Sequence, residues 1–344
     1  MPALRAGTFF IPFYRPNLIG EGIKMAANDK KSTNNKRAVN YNKWGYIFLI
    51  PFFVAFILYN LIPLGMTVYY SFFEKYFDAG TGTWSSVQFV GFSNYIKLFY
   101  DGYEFDPRIF KYLLNTIIMW VLGFIPQIVV SLVLAQWFSD NRLKIRGSRF
   151  FKTVIYLPNL IMASAFAMLF SALFDKTGPI SSLLFDKLHW ISAALDFTKS
   201  VGLARFLVAF MNFLMWFGNT TILLMAGIMG IDESLYEAAE VDGANSIQRF
   251  TRITLPLLKP ILIYVVITSL IGGIQMYDVP QILTNGSGDP VTKTTTLIMY
   301  LNQILVSKNY GVGGALSVIL FLITGGLSLV VYNLMYSKKS KEKS

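Results

Sequence analysis

The side chains able to do chemistry in this chain are mostly neutral and lie inside apolar stretches. Asn115 and Thr116 open one such stretch, with Gln127 beside Pro126 midway along it. Asn212, Asn219, Thr220 and Thr221 flank Trp216 in another, and Gln275, Tyr277 and Asp278 end a third. Amides and hydroxyls beside aromatic faces suit a neutral polyhydroxyl solute such as a sugar. An amino acid or a phosphate would call for fixed charge. The competing use is interhelical hydrogen bonding, worth roughly 0.6–2 kcal/mol per pair. Asn115, Asn212 and Gln127 fit either use. Gln275, Tyr277 and Asp278 read as pathway or outer gate, since a charge near a membrane needs a wet or paired setting. Trp216, between two Asn residues, is read with the pathway, although such residues are more often core. Trp120 and Trp137 read as core or interface anchors. No catalytic constellation appears. There is no cysteine, the one histidine (His189) cannot build a metal site, and neither GxxxxGK[ST] nor GxSxG occurs.

The charged chemistry is concentrated elsewhere. Asp232, Glu233, Glu237, Glu240 and Asp242 precede Arg249, Arg252 and Lys259 in a charged interruption between two apolar stretches. Asp232, Glu233 and Ser234 suit a helix start and its dipole. Gly243 suits a helix stop in the left-handed conformation. Ser246–Thr254 reads as a second short helix, with Pro256 stopping it and Pro260 starting the next segment. The pattern predicts a stiff polar two-helix elbow; the plainer alternative is a solvated connecting loop.

These groups must be positioned by membrane helices. Of 344 residues, 54% are hydrophobic and 14% charged, with a mean hydropathy of +0.50, against about 25% charged in soluble domains. Six apolar spans are expected at about 44–70, 113–138, 153–174, 206–231, 260–279 and 314–336, each able to cross a hydrocarbon core of about 30 Å. Lys and Arg number 20 on the side holding residues 1–43, 139–152, 231–259 and 337–344, and 10 on the other. The positive-inside rule then puts both termini and the elbow in the cytoplasm. The +11 charge is therefore topological and does not indicate nucleic acid. Residues 1–43 read as a basic, largely disordered tail, the first 24 as a dispensable extension or an early start ahead of Met25, and 337–344 as a second basic tail. Residues 71–112 have room for a small cap. Leu183, Leu184, Leu188, Ile191 and Leu195 suggest a short interfacial helix, and Leu283–Pro290 is a turn cluster.

The elbow also carries a family resemblance. Glu237-Ala238-Ala239, three residues, Gly243, nine residues, then Ile253-Thr254-Leu255-Pro256 matches the EAA signature of permease subunits of binding-protein-dependent ABC importers. Tyr156-Leu157-Pro158, Gln275-Met276-Tyr277-Asp278 and Leu283-Thr284-Asn285-Gly286 resemble the carbohydrate (maltose and glycerol-phosphate-like) type over about residues 40–338. The resemblance implies an all-α fold with six transmembrane helices, of the type I ABC importer permease kind, in a bacterial inner or plasma membrane. It implies an EAA coupling loop at 232–256 that docks on an ATPase through Glu237, Ala238, Ala239, Gly243, Ile253, Leu255 and Pro256. It further implies a second permease subunit, two ATPase subunits holding ATP and Mg, and an extracytoplasmic sugar-binding protein. No cofactor or metal is expected on this chain, which is read as a transporter subunit rather than an enzyme. It has six expected spans where the best-known maltose-type subunit has eight, and lacks a large external domain, so no maltose-type binding residue is carried over. An ion-coupled secondary carrier and a permease for a glycerol-phosphate-like solute are the alternatives. The single acid within the expected spans, Asp278 at the outer end of the fifth, gives little for an ion relay.

Overall fold

A computed structural model of the chain describes residues 42–140, 143, 145–189, 196, 200–288 and 290–336. The expected tails lie outside these residues, apart from the last two positions of the first, as do Ile191 and Leu195 of the expected interfacial helix. Five helical stretches of 25 to 32 residues are apolar enough to cross a membrane: Gly45–Ser71, Arg108–Ser139, Val201–Met229, Lys259–Leu283 and Tyr310–Tyr336. At about 1.5 Å per residue each exceeds the hydrocarbon thickness. The sixth expected span, at 153–174, is interrupted. Ser148–Leu160 and the helical stretch beginning at Ala163 meet at 93°. Pro158 lies near the end of the first of these helices, and Ile161 and Met162 are extended at ψ 134° and 131°. Among the described residues the candidate spans thus number five, or six if the bent pair is one span.

The chain divides into two units, residues 1–61 and 62–344. The first contains α1 (Asn42–Phe56), with Pro51 inside it, and a five-residue π turn at Ile57–Leu61.

The second unit begins with α2 (Ile62–Ser71) and a small cap, a departure from an all-helical chain. Three antiparallel pairs form there: β1 (Phe73–Glu74) with β4 (Gln88–Phe89), β2 (Phe77–Asp78) with β3 (Thr83–Trp84), and β5 (Tyr100–Asp101) with β6 (Glu104–Phe105). Between them α3 (Ser93–Phe99) buries Asn94, whose amide donates to the carbonyls of Ser71 and Phe73 at 3.0 and 2.9 Å. Pairs this short are marginal alone. Trp84 stacks on Tyr310 at 5.4 Å, and the Tyr310 N–H donates to the Lys75 carbonyl at 2.9 Å, so the cap is fastened to the last helix.

The remaining helices in order are α4 (Arg108–Ser139), α5 (Ser148–Leu160), α6 (Ala163–Phe174), α7 (Pro179–Ser182), α8 (Val201–Met229), α9 (Glu233–Val241), α10 (Ser246–Arg249), α11 (Leu255–Leu257), α12 (Lys259–Ile274), α13 (Asp278–Leu283), α14 (Leu297–Val306) and α15 (Tyr310–Tyr336). The expected helix at 183–195 begins instead as α7 and a π turn at Leu183–Lys187. The Leu283–Pro290 turns appear with positive φ at Asn285, Gly286 and Gly288.

Helices in lipid associate through close packing and polar contacts, since tails are as apolar as leucine. The α4–α8 seam has both, and α5 packs as closely on α8. A Cβ on Gly123 would sit 2.8 Å from the Ala209 carbonyl oxygen, and one on Gly218 would sit 1.9 Å from that of Ile155 on α5. Gln127 donates to the Thr220 hydroxyl (2.8 Å), and Ser131 to the Phe217 carbonyl (2.8 Å). Met119, Leu207 and Met211 are buried against α6 and α13, while Ala135, Leu224 and Leu258 are buried toward the elbow.

Candidate functional site

The faces that α4, α8 and α12 turn toward one another leave a cavity of about 410 Å³. Helix α4 contributes Trp120, Gly123, Phe124 and Gln127. Helix α8 contributes Asn212, Trp216, Asn219, Thr220 and Leu223. These positions recur three or four residues apart, the spacing of one helix face. Helix α12 supplies Tyr264, Thr268, Ser269, Gly272 and Gly273, with Met276 just beyond its end. The lining holds amides, hydroxyls, indoles and a phenol, and no charged side chain.

Part of this polar set is already engaged. The Trp120 indole N–H donates to Ser269 (3.1 Å), and a Cβ on Gly273 would meet the Trp120 ring at 2.2 Å, so the indole lies flush on α12. The Asn212 amide donates to the Val208 carbonyl (2.9 Å) and contacts the Met276 sulfur (3.5 Å). Asn219 is exposed, and Trp216 leaves 47% of its surface free. A wall of aromatic faces with neutral donors and acceptors and no net charge can receive a hydroxylated solute, which stacks its apolar face and exchanges hydrogen bonds with water.

Asn212, Trp216 and Asn219 thus meet at the cavity, and Asn115, Gln275, Tyr277 and Asp278 do not line it. Asn115 donates to the carbonyls of Thr292 (3.0 Å) and Thr295 (3.2 Å). Tyr277 accepts from Asn302 (2.8 Å); Gln275 and Asp278 are exposed at the junction of α12 and α13. Trp120, Tyr264 and Thr268 were not read from the sequence as pathway residues. A signal existed: Tyr264, Thr268 and Gly272 recur every fourth residue of an otherwise aliphatic helix.

The elbow is built by local rules. Asp232 caps α9, accepting from the Ser234 N–H at 3.0 Å, and this bond holds its carboxyl below its usual pKa. Gly243 stops α9 at φ 76°; its N–H reaches the Glu240 carbonyl (2.9 Å) and that of Ala244 reaches Ala239 (2.8 Å). That pair of bonds is a Schellman stop. Asn245 and Gln248 then form a reciprocal capping box at 2.8 and 2.9 Å, starting α10. Tyr236 and Thr254 share a hydroxyl contact at 2.8 Å, and Arg249 lies 3.8 Å from Glu240.

One expectation about the elbow is corrected. Pro256 does not stop the second helix. A π turn at Phe250–Thr254 leads into α11, Leu255 donating to Phe250 and Leu258 to Thr254 (2.9 Å). Pro256 lies at the N-terminal end of α11, where a missing N–H costs least. Glu237 and Ala238 are exposed and Ala239 is half-buried; Ile253 and Leu255 are half-buried and Pro256 is exposed. On either side of Gly243, Val241 and Ile247 are 89% and 74% exposed, so the outer edge is apolar as well as acidic.

Comparison with known proteins agrees with this architecture. Residues 127–341, well over half of the chain, match the family model of the binding-protein-dependent transport system inner membrane component. The lactose transport system permease protein LacF of Rhizobium radiobacter is 27% identical over 90% of this chain and 98% of its own length. The probable ABC transporter permease protein YurN of Bacillus subtilis is 30% identical over 89% of this chain and 100% of its own. The arabinooligosaccharides transport system permease protein AraP of the same organism is 29% identical over 86% and 90%. Among solved structures, a chain of a bacterial ABC transporter involved in the import of the acidic polysaccharide alginate superposes with a TM-score of 0.65. It is 21% identical, over 91% of this chain and 98% of that one, and so shares the fold. With its apolar spans, elbow and matched length, this multi-pass membrane chain belongs to the family of binding-protein-dependent transport system inner membrane components.

Proposed function

We propose that this chain forms half of the translocation pathway of an ATP-driven importer for a sugar or oligosaccharide. The observation that carries the reading is the uncharged, aromatic-walled cavity between α4, α8 and α12. Relatives named for lactose and arabinooligosaccharides support that solute class. A relative named for sn-glycerol-3-phosphate, 29% identical, raises a phosphorylated solute, and the absence of charge in the lining argues against it.

The elbow at 232–256 is the coupling element in this reading. Glu237, exposed on α9, faces a basic residue of the ATPase, and Val241 and Ile247 fill an apolar cleft on it. Gly243 sets the angle between the docking helices. ATP and Mg sit on two such ATPase subunits, a second permease completes the pathway, and an extracytoplasmic binding protein delivers solute. Both termini then face the cytoplasm. ATPase closure moves the elbow and with it α8 and α12, which are continuous with it on either side. This is rigid-body alternating access, and the closed ATPase and the outward-open pathway must favour each other energetically.

The test is purification of the tagged chain from mild detergent with identification of its companions. The reading expects a second permease and an ATPase, and sugar uptake that needs ATP and ignores agents that dissipate ion gradients. A chain recovered alone that still transports without ATP would replace the importer with a secondary carrier.

A further inference from the structure

At the end of α8 remote from the elbow, Arg205 grips two acceptors. Its Nη2 donates to Asn115 Oδ1 at 2.6 Å and its Nε to the Lys293 carbonyl at 3.0 Å. Asn115, buried on α4, passes the grip on: its amide nitrogen donates to the carbonyls of Thr292 and Thr295 at 3.0 and 3.2 Å. The neighbouring Thr116 hydroxyl accepts the Leu297 N–H at 3.3 Å. Three side chains from two helices thus hold the backbone of one short strap, residues 291–297, at four points.

The strap is strained. Val291 and Thr292 are β-branched residues at φ 54° and 55°, a region such side chains adopt only when their surroundings hold them there. Among the described residues the Thr295 hydroxyl, fully buried, has no hydrogen-bond partner. Among the described residues Arg205 forms no ion pair, so its planar fork is spent on these oxygens; a lysine would offer a single point charge instead. The strap also touches the cavity wall. Thr296 donates to the Met276 carbonyl at 2.8 Å, and Met276 lines the cavity with its sulfur against Asn212.

We propose that Arg205 and Asn115 are positioning residues, a latch that holds the strained 291–297 strap and, through Thr296, the Met276 part of the cavity wall. Releasing the latch lets the strap relax and that wall move, which admits solute at this end of the pathway. The link to transport rests on the cavity being the pathway; the latch itself does not.

The chain has no cysteine, so a single Thr295→Cys reports on the strap alone. Maleimide labelling of the full chain in membrane vesicles is compared with and without Arg205→Met or Asn115→Asp. The aspartate keeps an acceptor for Arg205 and removes both donors to the strap. Each change is expected to speed labelling roughly tenfold in a chain that still unfolds cooperatively, the loss of about two hydrogen bonds, with Arg205→Lys intermediate. Acceleration below about twofold in both overturns the latch. Amide exchange at Leu297, compared between the native chain and Arg205→Met, decides the same point without the cysteine: roughly tenfold faster exchange supports the latch and unchanged exchange overturns it. Faster labelling with unchanged uptake overturns the link to the cavity wall, while the pathway reading stands or falls separately on the co-purified subunits.

Discussion

Between Gly123 and Ala209 the backbones of α4 and α8 are in contact, though 86 residues separate them in the chain. Between Asp232 and Gln248 every cap and stop is made by residues no more than five apart. The seam depends on distant partners and on missing side chains; the elbow depends on backbone conformation and side chains already adjacent. A fault in the seam should therefore unmake the bundle, whereas a fault in the elbow should leave the bundle folded and disturb only what docks there.

The sharpest way to break that contrast is Gly218→Val. The added Cβ would fall 1.9 Å from the Ile155 carbonyl oxygen, a backbone atom that cannot swing aside. Overpacking of this kind costs about 3 kcal/mol, and little monodisperse protein should survive size exclusion in detergent. A midpoint equal to the native one would show that α5 is not packed as described.

Glu237→Ala probes the other region. Glu237 is exposed and makes no hydrogen bond or ion pair among those described within this chain. The thermal midpoint should hold while ATP-dependent uptake falls by at least about tenfold, the loss of one paired interfacial charge. Normal uptake would remove Glu237 from the coupling role. A fall in stability matching the fall in uptake would erase the distinction between the regions.

Gln127→Leu returns to the seam at smaller scale. It leaves the buried Thr220 hydroxyl without the 2.8 Å donor that now serves it. Stability should drop by about 1 kcal/mol, the size of a polar contact between membrane helices. Restoring it with Thr220→Val in the same chain would identify the unpaired hydroxyl as the cause; no recovery would assign the loss to packing.

How much could be read beforehand follows the same division. The Gly243 stop and the acidic start of α9 were legible because their physics is local. Five span positions were legible because hydropathy is additive along a helix. The 93° break after Leu160 was not, since Pro158 inside an apolar run is tolerated in membrane helices. Pro256 misled for a related reason: the π turn before it moves its missing donor to a position that needs none. Asn115 gave no sign of its partners, which lie about 180 residues on. Trp120 gave no sign of its partner Ser269, 149 residues away.

The finest test of the elbow's local character is its dependence on pH. The Asp232 carboxyl accepts from the Ser234 N–H, which holds its pKa below the ordinary value of about 3.9. A depressed carboxylate contributes to the folded elbow above the unfolded pKa, and the contribution fades as pH falls through the folded value. Asp232→Asn caps equally well and does not titrate. Amide exchange of Ser234 in the native chain, divided by that in the Asn variant, should be level near neutrality and rise as the pH is taken below about 4. The bundle should keep its core protection throughout, since no carboxylate takes part in the α4–α8 contacts described above. A ratio that stays level would mean that the Asp232 charge adds nothing to the cap. Core protection that falls together with the ratio would mean that elbow and bundle unfold as one unit, and the contrast between them would not hold.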